Sequence, residues 1–203
     1  PIQLIQYWAN DFFWSRNHSK EEARDILDIP QQKYVIGSFQ RDTEGFDLSS
    51  PKLEKGPDLF CDFIEKISKE RNDIYVLLGG WRRQYVINRL KNSNISFKYF
   101  ERPDLDFVKK LYESIDLYVV SARHEGGPQA LIECGLMQVP CISRPVGIAE
   151  QVLETRSINE DLSRCTPAIP NCDEMILVKS IPKYVTYFSE LLKSRDENQR
   201  KNR

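Results

Sequence analysis

Two glutamates, Glu125 and Glu133, stand eight positions apart, with Gly126-Gly127-Pro128 directly after the first. The glycines let a backbone come close to a ligand, and Pro128 suits the first position of a helix whose free N–H groups then face an anion. Glu125 lies just before that helix and Glu133 within it, so at ~1.5 Å per residue the carboxylates are separated by roughly 12 Å along the axis, or less if the turn bends back. That spacing resembles the span of a diphosphate with a sugar at each end. One carboxylate can accept from ribose hydroxyls while the other faces the second sugar, and the helix terminus between them holds the phosphates. The spacing alone is common on exposed helices, so the surrounding elements have to carry the argument.

Those elements alternate. Short apolar runs rich in β-branched and aromatic residues are candidate strands: Tyr34–Gly37, Asp73–Leu78, Ile95–Phe100, Ile115–Val120, Val139–Ser143 and Met175–Val178. Most are apolar on both alternate faces, as strands covered by helices on both sides must be. Helical spacing links Leu59, Phe60, Phe63, Ile64 and Ile67 behind Pro57, then Phe107, Val108 and Leu111, then Ala130, Leu131, Cys134 and Leu136. Ser19 with Glu22 reads as a capping box for a short helix over Ala23, Ile26 and Leu27, and Tyr184, Phe188, Leu191 and Leu192 mark a C-terminal helix. The expected fold is α/β, a Rossmann-like parallel sheet with helices on both faces. The Glu125 segment then follows a buried strand, where ligands sit in open α/β sheets.

Composition narrows the function classes. With 29 basic against 30 acidic residues the net charge is −1, which provides no global field for nucleic acid or an anionic membrane. Five cysteines cannot all pair within one chain and form no metal knuckle, and the two histidines, His18 and His124, lie far apart. Free thiols in a reducing compartment, no metal site and a cytoplasmic protein are the expectations. No apolar run approaches the ~20 residues that cross a bilayer. No G-x-G-x-x-G follows the first strand, which disfavours a dehydrogenase.

Glu125-x7-Glu133 with its Gly-Gly-Pro, followed by Val139-Pro-Cys-Ile-Ser-Arg-Pro-Val-Gly-Ile-Ala-Glu150, resembles the family 4 retaining glycosyltransferases. Gly37-Ser-Phe-Gln-Arg-Asp and Lys55-Gly56-Pro-Asp-Leu-Phe are similar to that family's phosphate-binding Arg and Lys-Gly pair. The resemblance, over roughly residues 10 to 152, implies the C-terminal, donor-binding half of a GT-B fold. It implies that Arg41 and Lys55 neutralise a diphosphate, that Glu133 binds the ribose, and that Glu125 contacts the donor sugar at its reacting carbon. Gly126, Gly127 and Pro128 would lend backbone to phosphate or sugar, and Arg102 and Pro103 would lie where the base is held. No cofactor is implied, the nucleotide-diphosphate sugar being a substrate, UDP-, GDP- or ADP-linked. Retention comes from the resemblance. His124 reads as a loop residue and Trp81 as an edge or interface aromatic.

Two departures stand out: thirteen residues separate Arg41 from Lys55, so 42–54 is expected to be an ordered insertion, and Ile148 replaces a common glycine. The stretch 154–173 has no assigned role. The expected organisation is a linker and opening helix over 1–32, the nucleotide-sugar-binding domain over 33–195 and a frayed tail over 196–203. Trp8, Phe12, Phe13 and Trp14 are too aromatic for a free tail. Because the chain opens on Pro1, an N-terminal acceptor domain is expected to be missing, together with any peripheral attachment to a membrane, and the fragment should bind nucleotide weakly and transfer nothing. The glycan, lipid-linked or small-molecule acceptor would bind through that domain. Competing readings are a sugar phosphorylase or nucleotide-sugar epimerase of similar architecture, and a non-catalytic nucleotide-sugar-binding module.

Overall fold

The computed structural model of the chain describes residues 5, 8–46 and 48–201, without the side chains of 194–201. Ser19 Oγ accepts from the Glu22 N–H at 3.2 Å and Glu22 Oε2 from the Ser19 N–H at 2.8 Å, a reciprocal cap that starts α1 (Lys20–Ile26). Its stripe is narrower than the sequence suggests: Ala23 and the following Leu27 are buried, while Ile26 is exposed. Next come β1 (Tyr34–Phe39), a hairpin of β2 (Thr43–Glu44) and β3 (Ser50–Pro51), α2 (Pro57–Ile67) and β4 (Ile74–Gly80). They are followed by α3 (Gln84–Asn92), β5 (Phe97–Glu101), α4 (Leu105–Ser114), β6 (Leu117–Val120), α5 (Gln129–Leu136), β7 (Cys141–Ser143), α6 (Ala149–Val152) and α7 (Leu177–Lys201).

The five long-range strands pair in parallel in the order β5-β4-β1-β6-β7. Alternate residues of β1 and β4 feed two cores. Val35 and Leu77 pack with Leu111, Tyr112 and Leu131 on one face. Ile36, Val76 and Leu78 pack with Phe60, Ile64 and Leu90 on the other. Each such side chain contributes about 1.5–3 kcal/mol by leaving water, which is why both faces of these strands are apolar. This is the expected Rossmann-like sheet. Strand order reverses between β1 and β6, and the crevice of a doubly wound sheet opens there.

Several expectations are corrected or completed. Met175–Val178 is not a strand: Ile176 makes one bridge to Ala9, and α7 begins at Leu177, whose N–H donates to Asp11 Oδ1 at 3.1 Å. The outer edge of β7 is already used, since Cys141 bridges Ala168 and Ser143 bridges Ile158. Segment 154–173 therefore caps the sheet, with 3-10 turns at Thr155–Ser157 and Leu162–Arg164. The insertion 42–54 is ordered as the β2–β3 hairpin, Asp47 lying outside the described residues. α3 was not anticipated. Of the early aromatics, Trp14 is buried and Phe13 packs on the core, but Phe12 is 73% exposed. Helix α7 continues through the expected tail to Lys201, while 202 and 203 lie outside the described residues. Its apolar row Val178, Ile181, Val185, Phe188 and Leu192 is exposed. All five cysteines are free, and among the described residues no helix is long and apolar enough to cross a membrane.

The C-terminal ends of β1 and β4 are locked by Arg83, which has no exposed surface. It donates to the Ser38 and Gly79 carbonyls, to Ser38 Oγ at 3.1 Å and to Asp42, also fully buried. Burial pushes the Asp42 carboxyl above its usual range, while the Arg83 charge and the Thr43 hydroxyl pull it back. Removing one partner of such a pair leaves an uncompensated buried charge. Asp42→Ala is therefore expected to lower the unfolding free energy by about 3–5 kcal/mol. Urea denaturation reads this directly, and a loss under about 1 kcal/mol, the range of an exposed pair, would show that Asp42 does not hold Arg83.

Candidate functional site

At the reversal point, a cavity of about 190 Å³ is lined by Phe39 at the end of β1 and Gln40 after it, Tyr118 on β6, and Lys55, Glu125 and Pro128 from the loops above. Lys55 ends a 3-10 turn, Leu53–Lys55, that Gly56 closes in the left-handed region at φ 59°. A Cβ on Gly56 would overlap the Ser121 carbonyl, so glycine is required both by backbone and by space. The Lys55 carbonyl is itself held, accepting from Gln40 Nε2 at 3.1 Å and from Ser121 Oγ at 3.2 Å. With its backbone fixed, the Lys55 ammonium donates to Glu125 Oε1 in a close ion pair. The two side chains retain 29% and 20% exposure, so the pair is open to exchange with an arriving ligand.

Glu125 stands between this cavity and a second, of about 540 Å³, lined by Arg123, His124, Gly126 and the loop Pro145 to Gly147. The loop that carries Glu125 is anchored by Arg123, which clasps Asp58 with both terminal nitrogens at 2.7 and 2.5 Å. Gly126 has nothing within 4 Å of where a Cβ would be, so its smallness serves open space rather than packing. Gly147 is the opposite case: at φ 53°, its Cβ would meet Pro128, Glu125 and Gly127 at 2.8–3.0 Å. Pro128 is the residue before α5 rather than its first residue, and no side chain caps that helix end. The unbonded amides of the first turn remain available to an acceptor.

Glu133 is not in the cavity wall. It lies on α5, turned toward α4, where its Oε2 accepts from the Tyr112 hydroxyl at 2.7 Å. Burial pushes its carboxyl above the usual glutamate range, and the Tyr112 bond opposes this. The same burial, with the Glu133 charge, raises the Tyr112 phenol well above its ordinary value, so it stays a donor.

Arg41 is also elsewhere. Its guanidinium lies 4.9 Å from the centre of the Trp81 ring, together with those of Arg82 at 4.5 Å and Arg102 at 4.6 Å. Thus Lys55, Glu125, Gly127 and Pro128 converge on one cavity and Gly126 on its neighbour, whereas Arg41 and Arg102 gather over β4. Pro103 follows, half-buried, in that same loop. Sequence reasoning missed Tyr112, Gln40 and the Arg82 neighbour of Trp81, which itself was expected as an edge or interface aromatic. The run Trp81-Arg82-Arg83 directly after Gly79-Gly80 was the available signal for Arg82, since residues at a strand's C-terminal end lie next to the crevice.

The family described as "Glycosyl transferases group 1" has a sequence model that matches residues 48–166. A protein of Sulfolobus islandicus rod-shaped virus 1, designated uncharacterized protein 356, is 32% identical over 98 residues, covering 47% of this chain and 26% of that protein. Among solved structures, Anabaena HepE in complex with UDP and glucose is similar with a TM-score of 0.65 at 14% identity, over 79% of this chain and 45% of that one. A glycosyltransferase from Rickettsia africae gives 0.62 at 17% identity, over 94% and 47%. The C-terminal domain of the Francisella tularensis group 1 glycosyl transferase LpcC gives 0.60 at 19% identity, over 77% and 82%. At these identities the structures share the fold. The chain spans less than half of the first two and about a quarter of the viral protein.

A glutamate whose folded-state pKa is raised stabilises the fold below its unfolded pKa, and the contribution is lost as pH rises through the folded value. Glu133→Gln keeps the acceptor for Tyr112 and removes the charge. The variant is expected to melt higher than the parent at pH 7, with the gap closing as pH falls below the ordinary glutamate range. Circular-dichroism melts across pH test this, and a variant less stable than the parent at pH 7 would contradict it.

Proposed function

This chain belongs to the glycosyl transferases group 1 family, and on that premise we propose that it is the donor-binding half of a retaining, metal-independent glycosyltransferase of family 4. The donor is a nucleotide-diphosphate sugar, UDP-, GDP- or ADP-linked. The acceptor, a glycan, lipid-linked or small molecule of a glycan-building route, binds through a domain outside these residues. A cytoplasmic setting, with peripheral contact to a membrane through that other domain, accords with this reading.

The observation that carries the reading is the Lys55–Glu125 pair at the mouth of the switch-point cavity, next to the uncapped start of α5. A diphosphate competes with Glu125 for the Lys55 ammonium and completes the first-turn amides of α5. Its arrival frees the Glu125 carboxylate to accept from hydroxyls of the donor sugar. Charge developing on the departing diphosphate is then met by a fixed cation and fixed dipoles, which need no reorganisation as the bond breaks. The acceptor attacks the anomeric carbon from the face the diphosphate leaves. Glu133, with its spare oxygen, takes the ribose hydroxyls. The cavity of about 190 Å³ is below the 300–1,000 Å³ of typical ligand pockets, in keeping with a half-site closed by a second domain.

Opposite effects are expected from the two partners of the ion pair. Lys55→Gln should weaken nucleoside-diphosphate binding about tenfold or more, the worth of a charge-assisted hydrogen bond. Glu125→Gln should tighten it, by removing the competitor, while lowering transfer in the enzyme that carries both domains. Calorimetry on the best binder of UDP, GDP and ADP measures the first two effects, and weaker binding by Glu125→Gln would sink the exchange. In a thermal-shift panel of UDP-, GDP- and ADP-glucose, no stabilisation by any would remove the donor reading.

A further inference from the structure

Helix α4 sends two consecutive side chains to different neighbours. Glu113, with no exposed surface, turns to the segment before α1, where its carboxylate accepts from the N–H groups of Asn17 at 2.6 Å and His18 at 3.3 Å and pairs with His18 Nδ1 at 2.8 Å. Tyr112, 1% exposed, turns to α5 and donates its hydroxyl to Glu133 Oε2 at 2.7 Å. A buried tyrosine hydroxyl has to find an acceptor. Its choice of a carboxylate that burial makes costly to charge goes beyond that need.

The Tyr112 ring is enclosed on several sides. Trp14 meets it edge-on at 5.7 Å between ring centres, Phe39 edge-on at 5.0 Å and Tyr118 tilted at 5.5 Å. Trp14 belongs to the segment fastened by Glu113, and Arg16 fastens it again by donating to the Glu113 and Met137 carbonyls at 2.8 and 3.1 Å. Phe39 and Tyr118 are also walls of the cavity at the reversal point, so Tyr112 stands one layer behind that cavity. Glu133 lies one turn along α5 from Gln129 and Ala130, which line it. A glutamate free to sample its torsions must be ordered when a ligand binds, and that entropy cost lowers affinity. A carboxylate with one oxygen already held by an immobile ring avoids most of it.

We infer that Tyr112 is a positioning residue of the nucleotide site: its phenol, enclosed by Trp14, Phe39 and Tyr118, holds Glu133 Oε2 and so sets Oε1 for the hydroxyls of the donor's ribose. This rests on the reading of Glu133 as the ribose carboxylate. The titratable groups facing Glu133 are Tyr112 from α4, Tyr118 from β6 and Cys134 beside it on α5, and burial raises all of them above their ordinary values. They stay protonated around neutral pH, so the Tyr112 hydroxyl remains a donor while Glu133 carries the charge.

The test is calorimetry of the chain with the best binder of UDP, GDP and ADP and with its dideoxyribose analogue, which lacks both ribose hydroxyls. The parent is expected to prefer the ribonucleotide about tenfold or more, the worth of hydrogen bonds to a charged group. Tyr112→Phe is expected to weaken the ribonucleotide about fivefold or more and the dideoxynucleotide by less than about twofold, since the ring and its packing remain. Binding across pH adds a readout that mere space-filling would not move. Burial raises the Glu133 carboxyl and the Tyr112 bond opposes this, so without the hydroxyl the carboxyl moves further up. The ribose preference, which needs the charged form, is then lost at a higher pH in Tyr112→Phe than in the parent as pH falls. Equal preference in parent and variant, or equal weakening of both nucleotides, overturns the inference and leaves the donor reading in place. Equal binding of both nucleotides by the parent removes the ribose role of Glu133 and this inference with it, and no binding of either sinks the donor reading as well. Should Tyr112→Phe fail to fold, Trp14→Phe, which loosens the ring from behind and keeps the hydroxyl, is read instead. A ribose preference reduced about twofold or more supports the positioning, and an unchanged preference overturns it.

Discussion

Arg83 has no exposed surface, and the loops that carry Arg41 and Lys55 depend on it, directly or at one remove. Its guanidinium ties Ser38 at the end of β1 to Gly79 at the end of β4, and its ion pair fixes Asp42. Asp42 orients Thr43, whose hydroxyl donates to it and accepts from the Tyr85 N–H at 2.9 Å, taking over the start of α3. From the same residues hang Arg41 on one side and, through the Lys52 N–H to the Asp42 carbonyl at 2.8 Å, the turn that delivers Lys55 on the other. Desolvating an ion pair this completely brings little net stability. It does make two strand ends and two loops a single rigid piece.

The same economy governs charge in the site. Lys55 and Glu125 neutralise each other at the surface, where partners exchange easily, while Glu133 is held deeper by a neutral phenol. A carboxylate with a phenol for its partner is costly to keep charged, and the fold tolerates it beside the crevice. Placing the strained residues Arg82 and Arg102 at adjacent strand ends follows the same logic. The two apolar cores of the sheet offset these unfavourable terms.

Much of this was legible in the chain, for physical reasons. Val35-Ile36 and Val76-Leu77-Leu78 announce strands buried on both faces, and Ser19 with Glu22 announces a helix start, because those signals are local. The Glu125 turn was legible because glycine and proline leave few alternatives. What the sequence hid were matters of distance and direction. Lys55 and Glu125 are 70 positions apart, and nothing along the chain says that their side chains touch. Arg41 lies by Trp81, 40 positions on, rather than in the cavity wall. Four apolar residues at Met175–Val178 suit a strand or a helix equally, and the outcome was decided by the occupied edge of β7 and the cap from Asp11. α3 was hidden because no side chain caps it, its start being fixed by buried Arg83 and Thr43.

Pro182 sits inside α7 and has no N–H to give to the Val178 carbonyl, so the first turn of that helix is its most compliant joint. Beyond it the helix continues to Lys201, about 28 Å of rod at ~1.5 Å per residue. Rotation by about 10° at the proline carries the far end about 5 Å, a displacement close to one helical turn. Mechanically α7 is a lever with a short arm pinned by Asp11 and a long one beyond the proline, so small adjustments at its root become large translations of its far end.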